Sequence, residues 1–278
     1  MTDQDRSGKA RSDGLPYRLL AADVDGTLTE GGAPVPPLLT ARLAAFRRKG
    51  GLFTLATGRC PEAARSYLGQ LEVDIPAILF NGALLFDPVS GNSLEEHYLD
   101  PALMEALLDW LADTRPDALV YQGQEVFVDS VTPAVAEHLA KDGAHCREVG
   151  RWRDLHPRKV FKVLVIAPQA PASLFPGRHR KMGRSIRWVN SEPTYWEVLP
   201  EGVSKGSGLA ALCRRLDLNP HEVAAVGDGL NDLEMIELAG LGVAVANAAG
   251  GLKAAAAKVT TARSWQGVAE LLDDILER

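Results

Sequence analysis

The chain has 278 residues, 46% hydrophobic and 24% charged, with a formal net charge of -6; it can build a sizeable core, and it exceeds the about 100 to 150 residues of a typical domain, so two domains are expected. The negative balance and the lack of a long Lys/Arg run exclude electrostatic attraction to nucleic acid or to an anionic membrane surface, leaving a small diffusible molecule as the expected partner. Cys60, Cys146 and Cys213 are odd in number and scattered, no apolar run approaches the about 18 residues of a membrane span, and the N-terminus is polar, so a reduced, cytoplasmic protein is expected.

Residues 1–15 read as a mobile tail, because Met1 to Gly14 mix alternating charges with Gly and Ser and show no apolar periodicity. The apolar run Leu19 to Ala22 then reads as a buried strand. Pro37 to Lys49 carries Leu38, Leu39, Leu43 and Phe46 at helical spacing and stops at Gly50-Gly51, and Leu52 to Ala56 returns to a strand, which makes a βαβ unit. A helix from Pro61 to about Leu71 and an apolar run Ala77 to Phe80 follow. From Ala83 to about Arg187 the texture changes: a hairpin over Leu84 to Tyr98, strands near Leu119 to Val128 and Val160 to Ala167, and helices near Pro101 to Asp113 and Pro133 to Lys141 predict an inserted α+β domain. Ile186 to Leu199 alternates and carries the chain back. A helix Lys205 to Leu216, a strand Val223 to Val226, a helix Leu230 to Ala239 and a strand Gly242 to Ala246 resume the first pattern, and Ala254 to Ala257 reads as helix. Strands alternating with helices imply a parallel sheet with helices on both faces.

Chemistry concentrates at the ends of these strands. Asp23 and Asp25, two residues apart in Asp23-Val24-Asp25-Gly26-Thr27-Leu28-Thr29, project to one side where ligands of open parallel sheets gather. Carboxylates that close need a cation or a shared proton, and a hard divalent ion with oxygen ligands meets the first need; an Asp-Gly turn with solvated acids is the plain alternative. A second acidic cluster, Gly227-Asp228-Gly229-Leu230-Asn231-Asp232, also follows a strand, and Asp228, Asn231 and Asp232 share one side of a starting helix. Thr57-Gly58 offers a hydroxyl and backbone N–H groups to an anion, and Lys205, after the N-cap Ser204, places an ammonium at a helix N-terminus. The histidines, including His138 and His145, form no metal-ligand pattern; Trp188, Tyr195 and Trp196 read as core or domain-junction residues; Arg59 is left between substrate contact and a carboxylate partner.

In this order these segments resemble the haloacid dehalogenase-like phosphohydrolases: Asp23-Val24-Asp25-Gly26-Thr27 is similar to their first motif, Thr57-Gly58-Arg59 to the second, Lys205 to the third and Gly227 to Asp232 to the fourth. With the insertion, Asn81-Gly82-Ala83, Glu197 to Gly206 and Gly242 to Ala248, the chain looks like the Cof-type, subclass IIB sugar-phosphatase branch; Ser264-Trp265-Gln266-Gly267-Val268 departs from its Asp-Gly-Val. The resemblance implies an α/β fold with a Rossmann-like three-layer core at 16–82 and 189–278 and an α+β cap of type C2B at 83–188. It implies that Asp23 is the nucleophile and Asp25 the general acid and base. It further implies that Asp23, Asp25 through its backbone carbonyl, and Asp228 hold Mg2+, that Val24, Thr57, Gly58, Lys205 and Asn231 bind phosphate, and that Asp232 supports them. The expected activity is hydrolysis of a small phosphate monoester through an aspartyl-phosphate; the alternatives are a phosphomutase using the same intermediate and a non-catalytic sugar-phosphate sensor.

Overall fold

The computed structural model describes residues 14–169 and 188–277. The expected tail thus falls outside the described residues through residue 13, as does the stretch 170–187 of the expected insertion.

The chain runs β1 (Leu19–Ala22), α1 (Pro37–Arg48), β2 (Leu52–Leu55), α2 (Pro61–Gln70), β3 (Ala77–Leu79), β4 (Leu84–Asp87) and β5 (Asn92–Glu96). It continues through α3 (Pro101–Thr114), β6 (Asp117–Gln122), β7 (Glu125–Val128), α4 (Pro133–Asp142), β8 (Arg147–Glu148), β9 (Val160–Ile166), β10 (Trp188–Glu192) and β11 (Tyr195–Val198). It ends with α5 (Lys205–Leu216), β12 (Val223–Gly227), α6 (Leu233–Leu238), β13 (Leu241–Ala244), α7 (Gly250–Ala255), β14 (Lys258–Val259) and α8 (Ser264–Leu276).

The first sheet is parallel throughout, in the order β14-β13-β12-β1-β2. Its interior strand β1 is wholly buried, as a strand covered on both faces must be, and this is why Leu19 to Ala22 is a continuous apolar run without alternation. Consecutive strands lie to one side of β1 and the late strands β12 to β14 to the other, so strand order reverses beside β1. That reversal opens a crevice at the carboxyl ends, where Asp23, Thr57 and Asp228 stand. A second sheet, β10-β11-β9-β6-β7-β8, is antiparallel except for the β7–β8 pair. The hairpin β4–β5 pairs with β3, and β3 runs beside β2 through the parallel bridge between Ala56 and Ile78.

The α/β architecture is the expected one, with local differences. Leu38 is exposed, and the buried stripe of α1 is Leu39, Leu43 and Phe46. The helix expected from Leu230 begins as a 3-10 turn, Leu230–Asp232, before α6. The alanine run leaves the helix early: α7 ends at Ala255 and Ala256 is extended, because the chain there turns to feed β14. Composition alone favoured helix through Ala257; the sheet edge overrode it.

Candidate active site

Asp23 follows β1, and its N–H donates to Val226 O at 3.0 Å, which ties the two acidic strand ends together. The next residues turn sharply, with Val24 O accepting from Leu28 N at 2.9 Å and Thr29 N at 3.1 Å. Gly26 has φ +78°, and a Cβ there would lie 2.2 Å from Asp228 Oδ2. Glycine is therefore required twice, for the left-handed backbone and for the approach of the second acidic loop. Thr27 Oγ1 donates to Asp228 Oδ1 at 2.8 Å, and Asn247 Nδ2, after β13, donates to Gly26 O at 2.8 Å.

The α5 N-terminus supplies the counter-charge. Ser204 caps it through reciprocal bonds with Ser207, and Lys205, the first helical residue, has no exposed surface. Its Nζ sits 2.7 Å from Asp23 Oδ1 and 2.6 Å from Asp232 Oδ1. Asp232 spends its other oxygen on the N–H groups of Asp228 at 3.0 Å and Gly229 at 2.9 Å, which shapes the loop carrying Asp228.

Asp23, Asp228 and Asp232 each place a carboxylate oxygen within 4.8 Å of the others. Burial first, offset in part by Lys205 but reinforced by Asp232, Asp228 and Asp25, pushes Asp23 well above the usual carboxylate range. Burial and Asp232 likewise push Asp228 up to about 6. Lys205 is held cationic: burial disfavours its charge, but Asp23 and Asp232 outweigh that and raise it. One ammonium among three carboxylates leaves an excess of negative charge, the condition that a divalent cation relieves.

Asp25 faces elsewhere. Arg59 Nε and Nη2 donate to its two oxygens at 2.8 Å each. Burial works to raise Asp25, yet the Arg59 hydrogen bonds and charge together hold it below its ordinary value. Arg59 Nη1 also lies 3.4 Å from Asp142 Oδ1 at the end of α4, and its guanidinium covers the Tyr67 ring at 5.1 Å. The side chain left open by the sequence is thus a carboxylate partner that joins the first motif to α4.

Thr57 N donates to Ile78 O at 2.9 Å, and Thr57 Oγ1 accepts from Arg59 N at 3.2 Å, so the Thr57-Gly58 turn is fixed at the end of β2. Asn231 donates to Asn81 Oδ1 at 3.1 Å instead of joining the carboxylates. Asp142, Asn81, Lys162 and Asn247 carried no signal of their own beyond, for Asn81 and Asn247, their place in motif segments; the fold brings them here from a helix end, two loops and a strand far apart in the chain. His138 is a buried core residue bonded to Tyr121 Oη at 2.8 Å, and His145 is an exposed partner of Glu62.

A family model described as haloacid dehalogenase-like hydrolase matches residues 20–272. The HMP-PP phosphatase of Citrobacter koseri is 31% identical over 242 residues, covering 83% of this chain and 85% of that protein. A haloacid dehalogenase-like hydrolase from Bacteroides thetaiotaomicron matches in structure with TM-score 0.80 and 28% identity, covering 93% of this chain and 99% of its own. The subclass IIB sugar phosphatase BT4131 shares the fold, with TM-score 0.79 and 20% identity over 92% of this chain and 98% of its own.

Proposed function

The chain belongs to the haloacid dehalogenase-like hydrolase family, and from that membership we propose that it is a magnesium-dependent phosphatase that cleaves a small phosphate monoester, a sugar phosphate or related metabolite, through an aspartyl-phosphate on Asp23. The observation that carries this reading is the cluster of buried Asp23 and Asp232 and half-buried Asp228 around Lys205. The relative's phosphatase activity supports the reaction class.

Asp23 has one oxygen held by Lys205 and the other free to attack phosphorus. As that P–O bond forms, the bond to the leaving oxygen breaks, and Asp25 delivers a proton to it. Water then attacks phosphorus, Asp25 takes its proton, and the Asp23–phosphorus link breaks to release phosphate. Arg59 holds Asp25 as a carboxylate, so to act as acid Asp25 must part from Arg59 and first take a proton from solvent; Asp142, 3.4 Å from that guanidinium, is its second partner. Lys205, Thr57, Gly58 and Asn231 balance and position the phosphoryl oxygens, which is most of what this transfer demands.

The donor set fits magnesium: hard carboxylate oxygens with surplus negative charge, and an Asp228 whose upward shift a cation would reverse. Asp23, the Asp25 carbonyl and Asp228 would hold it, with Asp232 fixing their loop. When bound it supplies a compact positive charge that offsets the phosphoryl oxygens. In this reading residues 16–82 and 189–278 form the catalytic core and 83–188 the cap that selects the leaving group, except that β10 and β11 pair with β9 in the six-stranded sheet, so residues 188–198 go with the cap and the core resumes after Val198; Lys141 and Asp142 on α4 approaching Asp25 and Arg59 support that division. Rapid acid quench during turnover, followed by peptide mass analysis, tests the chemistry: one phosphoryl group on the Asp23 peptide is expected, and a phosphoryl group found on another side chain overturns the assignment.

A further inference from the structure

A second buried network lies beside the carboxylate site and reaches into the six-stranded sheet. Glu197 on β11 and Lys162 on β9 are both nearly inaccessible to solvent and form an ion pair at 3.2 Å. Lys162 Nζ also donates to Gly58 O at 2.8 Å and covers the Tyr121 ring at 4.6 Å. Glu197 receives two more donors, Ser191 Oγ at 2.7 Å and Asn81 Nδ2 at 2.9 Å. Asn81 in turn accepts from Asn231 Nδ2 at 3.1 Å.

A buried ion pair of this kind is weak as a source of stability, since desolvation offsets most of its attraction. Its consequence here is direction. Glu197 is surrounded by donors and acts as acceptor only, so Asn81 must turn its NH2 toward Glu197 and its oxygen toward Asn231. Asn231 must then turn its own NH2 toward Asn81. One N–H of that group is spent on Asn81 and the second remains for a phosphoryl oxygen, while Oδ1 is buried without a hydrogen-bond partner. Asn81 can stand in this bend because it adopts the left-handed conformation, φ 54° and ψ 32°, which asparagine tolerates well. Gly58 lies against the same amide, since a Cβ there would meet Asn81 Nδ2 at 3.0 Å.

We propose that Glu197 and Lys162 are positioning residues for phosphoryl binding: Glu197 fixes, through Asn81, the donor face of Asn231, and Lys162 fixes the Gly58 turn through its carbonyl. This rests on the reading of Asn231 and Gly58 as phosphate contacts. The relay is set by residues of two strands in the six-stranded sheet, so the geometry of that sheet is read directly at the phosphate end of the site.

The test uses two variants of the full chain. Asn81→Gly keeps the left-handed backbone and deletes the relay; the double variant Glu197→Gln with Lys162→Met removes the charges together, so that neither is left buried and unpaired. For each, thermal melting, kcat/KM for phosphate esters, and the calorimetric dissociation constant for inorganic phosphate with magnesium are measured. The expected result is folded proteins whose kcat/KM falls and whose phosphate dissociation constant rises by similar factors of about tenfold or more, the loss of a hydrogen bond to a charged group. Native phosphate affinity and native kcat/KM in folded variants, or a lower melting temperature with phosphate affinity unchanged, overturn it. If the double variant does not fold, Asn81→Gly decides. If the native chain hydrolyses no ester, the functional reading fails, while the phosphate affinities still decide the relay.

Discussion

Lys205 is a cation with no water to solvate it, and it persists because Asp23 and Asp232 both lie within 2.7 Å of its ammonium. Lys205→Met would leave two buried carboxylates facing each other with nothing between them. The expected cost is about 3 to 5 kcal/mol of stability, read by urea denaturation, with phosphatase activity lost; a variant as stable and active as the native chain would contradict the charge balance argued here. Gly26 makes a different demand. Gly26→Ala pays the left-handed backbone penalty of about 1 to 2 kcal/mol and drives its Cβ into Asp228. Its melting temperature and its magnesium affinity, measured by calorimetry, are both expected to fall. At this scale the sequence was most legible where acidic residues follow apolar strands, as at Asp23 and Asp228, because both neighbours lie in one segment. Arg59 with Asp142, and Lys162 with Glu197, could not be paired in advance: their partners are 83 and 35 positions away, counting from 59 to 142 and from 162 to 197, and only the folded sheets bring them together.

Helix α4 shows how an element carries a residue whose type suggests function but whose role is packing. His138 sits on its buried face, bonded to Tyr121, with Nδ1 lacking a hydrogen-bond partner. Burial, with Lys162 nearby, pushes it down to about 3. In the unfolded chain a histidine takes a proton near pH 6.5, whereas the folded one stays neutral until about 3. The unfolded state therefore binds more protons in that window, and stability falls as pH drops below about 6.5. At pH 5 the loss is about 2 kcal/mol relative to pH 7.5. His138→Gln is expected to remove that part of the acid sensitivity in urea unfolding at the two pH values; an unchanged difference would show that His138 is not its source. Helix positions in α1, α3 and α4 were readable from spacing and Pro starts, since these elements bury one face. The ends of α6 and α7 were not, because strand entry, a tertiary constraint, sets them.

Across the whole molecule one apolar cluster passes from the parallel sheet, through Phe80 and Leu84, into Tyr121, Phe161 and Leu164 of the six-stranded sheet. Phe80 stacks on Phe161 at 4.7 Å between ring centroids, and Tyr121 meets Phe80 edge-on at 5.8 Å. The sheets share this packing, so thermal unfolding is expected as one cooperative transition with matching calorimetric and van't Hoff enthalpies. Phe161→Ala should lower stability by about 3 to 5 kcal/mol; two separated transitions in the native chain would contradict a shared core. Alternation of strands and helices disclosed the α/β class, whereas this junction was hidden, since it joins aromatic residues from segments with no common periodicity. The central claim remains the chemistry at Asp23. The most direct test is phosphate release from a panel of sugar phosphates, nucleotides and a generic aryl phosphate, with and without magnesium, comparing the native chain with Asp23→Asn. Magnesium-dependent release by the native chain, abolished in a folded Asp23→Asn variant, is the predicted result; substantial release by that variant would contradict the nucleophile assignment, and no release by the native chain from any ester would contradict the phosphatase itself.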